Sequence, residues 1–195
     1  MVEDDTRRWL ERAVIGLNLC PFAKAVHVKG QIHYAVSAAH DSDALLADLV
    51  AELQALVSVS AEVRDTTLLM APHCLGDFFD FNQFLAQADS ALLALDLEGD
   101  IQIASFHPQY QFAGTSVHDI SNYTNRAPYP TLHLLREASI DRAVESFPDP
   151  EAIFGRNMAV MNELGHEGWQ ALDVGPSKPT AGDGGFVASS GDESS

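Results

Sequence analysis

His133 and Glu137 stand four residues apart, a spacing that puts both side chains on one face if the segment is helical. Adding His107 gives two histidines and a carboxylate. That is the donor set of a facial triad for non-haem iron, or of a catalytic zinc site. The spacing thus predicts His107, His133 and Glu137 as metal ligands, with a divalent Fe or Zn as the cofactor. Without a metal the same groups can serve as acid and base, because histidine titrates near neutrality. The Tyr110 hydroxyl would then stabilise a developing negative charge. The plainer alternatives are a hydrogen-bonded His133 paired with Glu137, and a Tyr110 that packs with its hydroxyl satisfied locally.

Arg126 and Arg136 are notable in a chain with only 11 basic residues. Guanidinium forks suit carboxylates and phosphates. The expected ligand is therefore a small anionic molecule, bound by Arg126, Arg136, Asn125 and Tyr123, and oriented by Asn125 and Tyr110. The plainer role for Arg126 is to hold the loop through backbone carbonyls, or to pair with Asp119. Cys20 is the remaining candidate, as a nucleophile. The helix before it would present a negative C-terminal end, which disfavours a thiolate, and a buried structural cysteine is the commoner case. Except for Cys20, all of these residues lie between Ser105 and Glu137. A connection that long and that rich in tyrosine, histidine and arginine reads as an ordered functional loop.

The elements that must position it follow from periodicity. Trp9, Leu10, Ala13, Val14 and Leu17 recur at helical spacing, so a helix is expected from about Asp5, capped by Asp or Thr, to Leu17. The residue before Pro21 is pushed out of helical geometry. A further helical turn can begin at Ala23. Gln31–Ser37 alternates as a strand. A helix capped at Asp41–Asp43 carries Leu45, Leu49, Leu53 and Leu56. Thr66–Met70 is a second strand, Asp77 caps a third helix, and Asp100–Phe106 is a third strand. Helices are expected from about Thr131 to Ser146 and, after the break at Pro148-Asp149-Pro150, from Ile153 to Leu164. The fold class is α/β, or α+β: a small central sheet of at least three strands covered by helices, with helical N- and C-terminal segments. Ligands in such folds tend to sit beyond the carboxyl ends of the strands, where the loop after the third strand departs. Residues 1–172 are expected to form a single globular domain, and residues 173–195 a disordered acidic, Gly/Ser-rich tail.

The net charge of −17, from 11 basic and 28 acidic residues, argues against nucleic acid, which needs a basic stripe. It equally disfavours an anionic membrane surface. Two separated cysteines, Cys20 and Cys74, make no disulfide framework, and no segment reads as a leader or a membrane span. A cytoplasmic location is expected.

The runs VIGLNLCPFAKAV (Val14–Val26), RDTTLL (Arg64–Leu69), ASFHPQYQFAGT (Ala104–Thr115) and SNYTNRAPYPTLHLLREASIDRAVESFPDP (Ser121–Pro150) together resemble the bacterial domain-of-unknown-function family 1415. The resemblance spans about residues 5 to 165. Its motifs include Cys20, Asp65, His107, Tyr110, Asn125, Arg126, His133 and Glu137, and leave out His118 and Cys74. It implies a single cytosolic domain and supplies no chemistry. The expected function is an enzyme acting on an anionic small molecule at a His/Tyr/Arg/Glu-lined site in residues 105–137. A non-catalytic small-molecule or protein-binding module is the alternative.

Overall fold

The computed structural model describes residues 1–145, 149 and 152–178. Four strands, β1 (Ile32–Val36), β2 (Thr66–Met70), β3 (Ile101–Phe106) and β4 (Thr131–Arg136), form one sheet in the order β1-β2-β4-β3. β1 and β2 are parallel, and β4 runs antiparallel to both β2 and β3. The helices are α1 (Val2–Trp9), which continues into a π-helical stretch (Leu10–Ile15), α2 (Ala23–Val28), α3 (Ser42–Val57), α4 (Phe78–Ala94), a 3-10 helix (Ile120–Asn125), α5 (Glu137–Glu145) and α6 (Ala152–Ala171).

The expected caps are present. The Asp41 carboxylate accepts from the Ala44 N–H to start α3, and that of Asp77 accepts from Phe79 and Asp80 to start α4. The leucine stripe of α3 packs with Phe81 and Phe84 of α4 on one face of the sheet, against Leu69, Leu132, Leu134 and Ile101. The second face carries Tyr34, Leu68 and Met70 under Trp9, Leu10, Ala13 and Val14. The π-helical stretch ends at a glycine where no side chain fits: a Cβ on Gly16 would lie 2.3 Å from the Arg12 carbonyl oxygen.

The helix expected from Thr131 is overturned. Thr131–Arg136 is the inner strand β4, and helical structure begins only at Glu137. Pairing decides this: β4 is bonded along both edges, and Leu132 and Leu134 alternate into the first core. Spacing of four along a strand carries no shared helical face, so His133 and Glu137 are not paired by it.

The N-terminal cap is also different. α1 starts at Val2, and Asp5 lies inside it as a buried anchor whose side chain is 1 % exposed. Its carboxylate accepts from Arg8 at 2.9 Å, from the Tyr129 hydroxyl at 2.8 Å, and from both the N–H and the hydroxyl of Ser177. Burial pushes this carboxyl up, but the Ser177, Tyr129 and Arg8 hydrogen bonds outweigh it and hold it down at about 2. Burial and the bond to Asp5 push Tyr129 up to about 12. Through Ser177 the chain stays packed past residue 172. Val174 is buried against the second core, and Arg8 donates to the carbonyls of Asp173 and Gly175. Residues 179–195 of the expected tail, and Pro148 and Pro150 of the expected break, lie outside the described residues. α6 runs on past Leu164 through a kink at Gly165, which takes φ 62°.

Replacing Asp5 strands four donors at once. Asp5→Ala is expected to lower the unfolding free energy by about 2–4 kcal/mol, read as a lower urea midpoint at unchanged slope.

Candidate functional site

Strand alternation sets the site. On the second face, Tyr34, Leu68, His133 and Ala104 form one row across β1, β2, β4 and β3. α1 covers the β1 end of the row, where the Arg7 guanidinium lies 3.9 Å from the Tyr34 ring centroid. Between the N-terminal segment, the sheet and α5 lies a cavity of about 910 Å³. Trp9, Leu10, Val14, Phe22, Leu68 and Phe106 give it apolar walls, and His133 and Cys20 line it together.

Neither ring nitrogen of His133 has a hydrogen-bond partner among the described residues, and its ring packs against Phe106 at 6.1 Å between centroids. Burial alone pushes its pKa down to about 4, so the imidazole is neutral at pH 7. Cys20 reaches the wall because the segment before it is pinned from two sides. The Leu19 N–H donates to the Val14 carbonyl at 2.9 Å, and Asn157 of α6 donates to the Leu19 carbonyl at 2.8 Å. Asn18 turns the chain there with φ 54°.

A polar chain closes one side of the mouth. Ser139 of α5 donates to the Asp65 carboxylate at 2.6 Å, and Arg142 donates to the Ser139 hydroxyl at 2.9 Å. All three line the cavity, as does Lys29. Asp65 was picked out only as part of a motif, and Ser139, Arg142 and Lys29 not at all. The readable signal for this wall was the alternation of Thr131-Leu132-His133-Leu134-Leu135, which sets His133 and Leu135 on the face opposite Leu132 and Leu134.

The other expected site residues are placed elsewhere. His107 follows β3 on the opposite, α4-facing side of the sheet and is 0 % exposed. Its Nε2–H donates to the Leu75 carbonyl at 3.0 Å, which leaves Nδ1 to accept from the Gln109 N–H at 3.0 Å. Phe78 and Phe81 flank the ring. Burial lowers its pKa against the Leu75 bond and the charge of Asp77, which raise it. Glu137 opens α5, its N–H bonded to the Asp100 carbonyl, and is not among the cavity walls. The expected triad of His107, His133 and Glu137 is therefore not assembled. Among the described residues, no group of three or more His, Cys, Asp or Glu is placed to hold a metal ion.

The expected anion clamp is likewise occupied by the backbone. Arg126 donates to the carbonyls of Tyr110 and Val117, with its guanidinium 4.1 Å from the Tyr123 ring centroid. Arg136 donates to the carbonyls of Leu56, Val59 and Arg64, where α3 ends. Tyr123 packs on His166 and Trp169 of α6, and Tyr110 packs on Phe78 and Phe112, its hydroxyl pushed up by burial. Asn125 accepts from Thr124 through its side chain and from the His107 N–H through its carbonyl. The polar residues of this loop largely satisfy one another.

The class this defines is a mixed α/β protein, a four-stranded sheet flanked by helices with helical segments at both ends. The chain belongs to the family of proteins of unknown function DUF1415, whose model matches residues 1–171. No curated protein and no solved structure matches it. Among the described residues, no helix is long and apolar enough to cross a membrane.

The two histidines predict different variants. With a folded pKa near 4 against about 6.5 unfolded, His133 leaves stability intact above pH 6.5. As pH falls toward 4, only the unfolded chain takes up this proton, so stability is lost. His133→Gln is expected to flatten that part of the acid limb, read as a smaller fall in Tm between pH 7 and pH 4.5. His107→Ala should instead lower stability at pH 7 by about 2 kcal/mol or more, since it strands the Leu75 carbonyl and Gln109 N–H beside a core void.

Proposed function

We propose that the chain is an enzyme acting on a small molecule in the cavity between its N-terminal segment and the sheet, with His133 as the group that exchanges a proton. One observation carries this: a neutral imidazole with no hydrogen-bond partner among the described residues faces a cavity with apolar walls. An imidazole so placed is free to bond a ligand through both ring nitrogens. It offers one N–H donor and one ring-nitrogen acceptor. A ligand that develops negative charge beside it raises the depressed pKa toward neutrality, where proton transfer becomes efficient. Cys20, on the N-terminal segment that lines the same cavity, is the nucleophile candidate that survives from the sequence. Its thiol shares the cavity with a base-type side chain, whereas the other cysteine, Cys74, does not line it.

The test is turnover in a metabolite extract followed by untargeted mass spectrometry. Wild-type protein is expected to deplete one species and accumulate another, and His133→Gln to slow this by about a hundredfold or more with its far-UV spectrum unchanged. A species that is enriched on the protein, stays chemically unchanged and is retained by His133→Gln would replace the enzyme reading with a binding module.

A further inference from the structure

We infer that the cavity takes a molecule with an apolar body and a single carboxylate, that Arg142 at its mouth binds that carboxylate, and that Lys29 adds positive charge to the same cavity. This rests on the cavity being a ligand site.

The charge pattern carries the inference. Every other described arginine donates to a carboxylate or a backbone carbonyl: Arg7 to Glu3, Arg8 to Asp5, Arg12 to the Leu172 carbonyl, Arg64 to Glu52, Arg126 and Arg136 to loop and helix carbonyls, and Arg156 to the Asn18 carbonyl. Among the described residues, Arg142 donates only to the Ser139 hydroxyl. Behind it, that hydroxyl is committed to Asp65. The serine thus orients an exposed guanidinium without neutralising it at contact distance, and the rest of its N–H fork faces solvent at the cavity mouth. Lys29, on another wall of the cavity, has no acceptor among the described residues.

Both acids at this mouth already have partners. Asp65 holds Ser139, and Glu62 is stabilised first by the Ser60 hydroxyl and its own backbone N–H, with Arg142 acting on it only at longer range. In a chain of net charge −17 the general field repels anions. A guanidinium and an ammonium together on one cavity are therefore the local exception that admits one. The neighbouring Asp65 and Glu62 carboxylates disfavour a dianion, which selects a carboxylate over a phosphate monoester. The rest of the wall is apolar, and about 910 Å³ lies within the range of small-molecule sites.

The experiment uses the full chain and the neutral dye N-phenyl-1-naphthylamine, whose fluorescence reports occupancy of the apolar cavity. Decanoate, 1-decanol and decyl phosphate compete for it below their aggregation limits. Decanoate is expected to displace the dye at roughly tenfold lower concentration than decanol, the scale of one charge-assisted hydrogen bond, and at lower concentration than decyl phosphate. Arg142→Gln combined with Lys29→Gln should abolish the advantage over decanol and leave dye binding unchanged, which also shows the variant folded. Ser139→Ala should reduce the advantage in part. Equal potency of decanoate and decanol on wild-type protein would overturn the carboxylate subsite while leaving the cavity as an apolar ligand site. Tighter binding of decyl phosphate would overturn the carboxylate choice. Failure of the dye to bind saturably, or binding unaffected by filling the cavity with Leu68→Trp, would overturn the cavity reading beneath both.

Discussion

The placement of β4 is the constraint on which the rest depends. It lies between β2 and β3, antiparallel to both, so its backbone is bonded on two edges and its register is doubly determined. Alternation then sends Leu132 and Leu134 to the α3–α4 core and His133 and Leu135 to the other face. A slip of one residue would drive the imidazole into a wall of leucines and put a leucine on the floor of the cavity. The same insertion explains the crossovers. β1 to β2 moves one place along the sheet and β2 to β3 moves two in the same direction, and α3 and α4 both pack on one face. The second face is left to be covered by the chain's two ends, which do so incompletely.

That cover is held by polar anchors. A helix resting on a sheet face through a few apolar side chains can slide. The Asp5 carboxylate removes that freedom by collecting donors from its own helix, from the segment before β4 and from the C-terminal strap. The scarce arginines act in the same sense. Arg136 closes the end of α3, Arg126 closes the loop after β3, and Arg8 and Arg12 hold the strap. Each meets carbonyls that have no partner within regular secondary structure, a need created by short elements and long connections.

This also shows why part of the molecule was legible in the sequence and part was not. β1, β2, β3, α3 and α4 follow from local signals: alternation, a leucine stripe, and aspartates at two helix starts that cap as expected. β4 does not, because its identity comes from pairing with residues some sixty positions earlier. The run from Thr131 onward carries a helical period as well as an alternating one. Cys20 and His133 were legible as chemical groups, but their shared cavity was not, since it depends on which face the strand presents. Arg126, Arg136 and His107 had the right side chains for a site. Their acceptors are backbone atoms of Val117, Leu56 and Leu75, which no residue type announces.

The two histidines next to this sheet separate architecture from chemistry. Both are largely withdrawn from water and both have lowered pKa values. His107 has one donor and one acceptor atom, and the fold supplies a partner to each. Nothing further is asked of it, and its ring is closed in by Phe78 and Phe81. His133 has the same two atoms, and the described residues supply a partner to neither. Its ring is half-buried and borders the cavity, so its nitrogens are reached from the cavity side. A leucine at this position would fit the apolar walls but could not exchange a hydrogen bond or a proton there. In the function proposed above, a ligand's polar group sits against the ring, and the cavity provides the room for it. The ring that the fold satisfies belongs to the scaffold, and the ring whose nitrogens face the cavity is the one the proposed function draws on.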